Sequence, residues 1–166
     1  MVNIVRGPLV AVAFLLFGCS GVADAPRTPG PLEGVWSVAV VEPEGAPPID
    51  PAQPGMYIFT ADHYSAVYTP GPEPRSKAAT SFQPTPEEMV DQFQSIIVNA
   101  GRYEIDGASI TFRPIIARSP GFVGGRLTGA FDVSGDTLTL RHERLFDQEG
   151  AELSEFGERL TLVRIE

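Results

Sequence analysis

Asp106-Gly107 separates two short runs, residues 102–105 and 108–112, in which polar and apolar side chains alternate. The pair accepts positive φ at low cost, so alternating runs on either side of it close into an antiparallel hairpin. The arrangement recurs and constrains the chain to pairing between neighbouring strands. Ala61-Asp62-His63 joins residues 55–60 to 64–69, and Ser134-Gly135-Asp136 joins 126–133 to 137–142. Residues 34–41 open the series with Trp36, Val38 and Val40 on one face, and residues 159–165 end it. The expected fold is mainly β, an antiparallel barrel of about eight strands, closed so that few edges stay unpaired.

One helix interrupts the strands. Thr85 is a good N-cap, Pro86 suits the first helical position, and Glu88 completes a capping box. Met89, Val90, Phe93, Ile96 and Ile97 recur at spacings of three and four, a stripe suited to burial, and Asn99-Ala100-Gly101 ends the helix. Such a helix would plug one barrel end or lie along its wall. Residues 70–84 before it form a long loop.

At the N-terminus, Arg6 precedes an apolar run over residues 8–17. The run is too short to cross a bilayer as a helix and has the form of a secretory signal. Its end, Leu16-Phe17-Gly18-Cys19-Ser20, resembles the lipobox of bacterial lipoproteins. The resemblance implies a signal peptide over residues 1–18, cleavage before Cys19, and lipidation of Cys19. Ser20 in place of an aspartate implies the cell envelope, at the periplasmic face of the outer membrane where the cell has one. An ordinary signal peptide with a chance cysteine is the alternative. Residues 19–33, rich in Pro, Gly and Ala, read as a flexible tether, and residues 34–166 as one domain.

Cys19 is the sole cysteine, so the domain holds no cysteine nucleophile, thiolate metal site or disulfide. The net charge of −9 argues against nucleic acid and against electrostatic docking on anionic lipid. Membrane attachment is expected through the lipid anchor instead.

Two further sets of residues suggest a family. Gly34-Val35-Trp36 opens the first strand and Arg164 lies in the last. Residues 99–107 (NAGRYEIDG) are followed later by Gly135-Asp136-Thr137-Leu138-Thr139-Leu140. This pattern resembles the lipocalin-like superfamily, and within it bacterial lipocalin-like domains of unassigned function, over most of residues 34–166. In that group a histidine commonly stands where this chain has Phe112 or Arg113. The resemblance implies an eight-stranded barrel with the G-x-W tryptophan and the late arginine meeting at its closed end. Trp36 and Arg164 are therefore expected as a structural pair, guanidinium on indole.

Seven aromatics, among them Tyr57, Phe59, Tyr64, Tyr68, Tyr103 and Phe112, fall in expected strands. In a small barrel alternate residues point inward, to fill the interior or to line a cavity for one ligand. Tyr57, Tyr68, Tyr103 and Phe112 are the expected ligand-binding residues, with residues 70–84 and the helix near the mouth or base. The expected partner is a small apolar or amphipathic molecule; a protein partner is not read from the sequence.

Two other readings stay open. One is an isomerase- or cyclase-type enzyme on an apolar substrate, with Tyr103, Glu104 and Arg113 as proton handlers. The other is an envelope interaction module with a filled core. The two histidines, His63 beside Asp62 and His142 beside Glu143, form no close ligand pair, so no metal is expected. No nucleophile elbow surrounds Ser109 or Ser134, and Gly121-Phe122-Val123-Gly124-Gly125 lacks the lysine of a phosphate loop. No cofactor is implied.

Cys19→Ala is expected to leave an unprocessed or unanchored form. Membrane fractionation and N-terminal sequencing check this; unchanged anchoring together with unchanged cleavage contradicts it.

Overall fold

Trp36 pairs with Tyr57 on one side and with Arg164 on the other, so the first strand is bonded both to the second and to the last. The barrel is therefore closed. The computed structural model describes residues 27–166, apart from the side chains of residues 155 and 156. The expected signal peptide and Cys19 lie outside the described residues. Eight antiparallel strands follow one another in chain order: β1 (Gly34–Pro43), β2 (Gly55–Phe59), β3 (His63–Tyr68), β4 (Ile97–Asp106), β5 (Ser109–Ala117), β6 (Arg126–Ser134), β7 (Thr137–Phe146) and β8 (Glu152–Arg164). A helix, α1 (Pro86–Gln94), lies between β3 and β4, and a short 3₁₀ turn covers Pro120–Phe122.

The alternation read from the sequence points one row of each strand inward. Tyr57 and Phe59, Tyr64 and Tyr68, Ile110 and Phe112, Leu138 and Leu140, and Leu160 and Leu162 are all buried in one core. In β1 the row is Trp36, Val38 and Val41, because the pairing with β8 shifts register between Val38 and Val40. The extra residue turns Val40, expected on the inner face, out of the row.

The two barrel ends differ. At one end the strands are joined by the tight connections around residues 60–62, 107–108 and 135–136. At the other run the long connections 44–54, 69–96, 118–125 and 147–151. The tight-turn end is sealed by residues that composition assigns to the tether. Leu32 is fully buried, and its carbonyl accepts the Trp36 indole N–H at 2.7 Å. The Arg164 guanidinium lies 4.0 Å from the Trp36 ring centroid. It donates to the carbonyls of Glu33 at 2.6 Å and Pro31 at 3.3 Å. Pro31, Leu32 and Glu33, expected in the tether, are thus each held through their carbonyls by Trp36 or Arg164.

The helix starts as its cap residues dictate. Glu88 accepts the Thr85 N–H at 2.7 Å, and the Thr85 hydroxyl accepts the Glu88 N–H at 3.3 Å. Its apolar stripe is not buried: Met89, Val90 and Phe93 are each about half exposed. The helix is one of nine residues, and Ile97, expected to extend the stripe, begins β4 opposite Tyr68. Asn99-Ala100-Gly101 likewise belongs to β4 rather than to a helix end. The pairing with β5 shifts register between Ala100 and Gly101, and a Cβ on Gly101 would run into the Arg113 carbonyl oxygen. Glycine is needed there for close strand approach, not for a cap.

Arg164→Ala is expected to cost on the order of 1–2 kcal/mol, the cation–π contact plus two bonds to carbonyls. Thermal unfolding should show a fall of several degrees. Arg164→Lys keeps the charge but not the planar fork, and should recover only part of the loss.

Candidate functional site

Short turns let inward side chains meet across the barrel at one end; the long connections hold the other end apart. A cavity of about 160 Å³ opens there. Its base consists of the buried side chains of Tyr57, Tyr64, Tyr68, Phe112, Leu127 and His142. Its rim, from the ends of β4, β5 and β7 and the connection after β5, is half-buried or exposed and includes Ile97, Asn99, Arg118, Ser119, Phe122 and Leu145. The walls are mostly apolar. Tyr64 meets Phe112 edge-on at 4.7 Å between ring centroids, and Phe112 meets the His142 imidazole edge-on at 6.0 Å.

A polar chain runs along one side of the base. His142 and Glu158 are directly opposite on β7 and β8, and both are buried. Glu158 Oε2 lies 3.1 Å from His142 Nδ1 and accepts the Tyr68 hydroxyl at 2.6 Å. Burial pushes the Tyr57 and Tyr68 hydroxyls well above the usual tyrosine range, and the Glu158 charge adds to the effect. Burial also pushes Tyr64 up. All three hydroxyls keep their protons at any ordinary pH and so are able to donate hydrogen bonds.

The mouth is held by Arg118. Its Nη1 donates to the carbonyls of Phe93 at 3.0 Å, Gln94 at 3.2 Å and Ile96 at 2.5 Å, and its guanidinium lies 5.0 Å from the Phe93 ring centroid. A cation on the last carbonyls of a helix satisfies groups that have no partner within it. Arg75, from the preceding loop, donates to Ser95 Oγ and the Gln92 carbonyl. The C-terminal end of α1 is thereby moored beside the mouth, and the loop with it.

Of the four expected ligand-binding residues, Tyr57, Tyr68 and Phe112 come together around this cavity. Tyr103 does not line it. It lies toward the tight-turn end, where its hydroxyl donates to the Thr60 carbonyl at 2.8 Å and its ring meets Phe59 edge-on at 5.3 Å. The three candidate proton handlers share no chamber: Glu104 and Arg113 pair at 3.1 Å on the exposed outer face, one position out of step with Tyr103. His63 bonds Asp62 at 2.7 Å on the surface, far along the chain from His142. Among the described residues, no three His, Cys, Asp or Glu side chains converge as for a metal ion.

Sequence reasoning passed over Tyr64, His142 and Glu158 as site residues. The signal for two of them was present. His142 continues the inward row of Leu138 and Leu140, and Glu158 precedes Leu160 and Leu162 in the same alternation. A polar residue in such a row is buried, and its partner is sought on the adjacent strand.

No protein-family model matches the chain, and no curated protein matches it. Among solved structures, a lipocalin-like protein from Bacteroides uniformis is similar, with a TM-score of 0.47 and 15% sequence identity, over 82% of this chain and 100% of that one.

Glu158→Ala removes the acceptor for two buried groups and is expected to cost on the order of 2–4 kcal/mol. Glu158→Gln keeps one acceptor oxygen and should cost about half as much. Denaturant unfolding of the two variants checks the order.

Proposed function

We propose that the protein binds a small, predominantly apolar molecule in the cell envelope, to which Cys19 anchors it. The anchor rests on the lipobox resemblance at residues 16–20. The cavity carries the binding reading: an apolar chamber of about 160 Å³ with tyrosine hydroxyls converging at its base. Its volume sets the ligand's size. An apolar cavity of roughly 150 Å³ holds a benzene-sized molecule, whereas drug-sized ligands occupy roughly 300–1,000 Å³. A single ring fits; a long acyl chain does not.

The purified full chain, titrated with toluene, indole and palmitate by calorimetry and thermal shift, tests the reading. The two ring compounds should bind with Kd on the order of 0.1 mM. At tenfold excess over Kd they should add about 1.4 kcal/mol of stability. Leu145→Trp, which fills the rim, should abolish binding, while Tyr103→Phe should leave it unchanged. Failure of both ring compounds to bind overturns the reading and favours an interaction module without a ligand.

A further inference from the structure

Tyr64 differs from the other cavity tyrosines. Tyr68 spends its hydroxyl on Glu158, and the Tyr57 hydroxyl is not among the buried groups left without a partner. Among the described residues no group bonds the Tyr64 hydroxyl, although the side chain is only 4% exposed and lines the cavity. A buried donor without a protein acceptor is costly and marks a place where something else is meant to accept. Its ring is fixed by the edge-on contact with Phe112, and Tyr64 pairs with Phe59 and Gly101 on the neighbouring strands, so its direction is set before anything binds.

We infer that Tyr64 is the polar recognition point of the cavity, donating its hydroxyl proton to a carbonyl or ether oxygen of a neutral, one-ring ligand. The inference rests on the ligand-binding reading above and names the ligand's chemistry. The acceptor is required by the donor. Glu158, the buried carboxylate behind Tyr68, disfavours a negative charge at the base, and the mostly apolar walls disfavour any charge left unpaired there. Apolar walls on the remaining sides leave room for the ring itself.

Acetophenone and α-methylstyrene have nearly the same shape, but only the ketone carries an acceptor oxygen. The full chain and its Tyr64→Phe variant are titrated with both, and with benzoate. The ratio of acetophenone to α-methylstyrene affinity should fall about fivefold to tenfold in Tyr64→Phe, the worth of one buried hydrogen bond. Binding of α-methylstyrene should be retained or tightened, because the variant leaves no donor unpaired against it, which shows that the variant's cavity is intact, and Tyr103→Phe should leave the ratio as it is. An unchanged ratio in Tyr64→Phe, with α-methylstyrene still bound, overturns the role of Tyr64 while the binding reading stands. Tighter binding of benzoate than of acetophenone overturns the neutral class. If neither ring compound binds the unaltered chain, the binding reading falls and this inference falls with it.

Discussion

The pairing of β1 with β8 is the constraint on which the rest depends. Without it the sheet has two long edges and no interior. The pairing is fixed at its end by Arg164, which lies against the Trp36 ring and draws in the carbonyls of Glu33 and Pro31. Leu32 is then carried into the core, and the indole N–H is satisfied by its carbonyl. Closure, burial and hydrogen bonding are thus met by the same few residues. Side chains at that end are forced together, and the space left over appears at the other end, where the connections are long.

The buried carboxylate shows how the barrel tolerates a polar interior. A charge removed from water is stable only when its hydrogen bonds are provided for. Glu158 meets that condition with a tyrosine hydroxyl from β3, across the barrel, and a histidine from β7, beside it. The network therefore ties three strands through one oxygen atom and fixes the direction of Tyr68. An apolar triad of equal volume would fill the space but would not orient a hydroxyl.

Much of the fold was legible because turns and alternation are local signals. Asp106-Gly107, Ser134-Gly135-Asp136 and Ala61-Asp62-His63 each mark a hairpin that forms, and the capping box at Thr85 starts the helix where it should. The site was less legible, for a physical reason. Four strands run past the points where their patterns break: β4 begins at Ile97 across a bulge, β5 continues through Pro114 to Ala117, β7 passes a bulge to Phe146, and β8 begins at Glu152. Ile97, Asn99, Ala117 and Leu145 lie in these extensions, whereas Glu158 stays in step with Leu160 and Leu162 just before their apolar run. A bulge shifts the inward row by one residue, so strict period two loses the strand where it approaches the cavity. The exposed stripe of α1 is the converse. Helical spacing announces a face that could be buried, not whether the barrel leaves anything to bury it against.

The start of β1 and the C-terminal Glu166 meet at the sealed end, where the Val35 N–H donates to the Glu166 carbonyl and the Glu33 carbonyl accepts from Arg164. The cavity opens at the opposite pole. The segment that precedes β1 therefore joins the barrel at its floor, at the pole opposite the opening. Sequence added or lost in the connections around it would reshape the entrance without loosening the foundation.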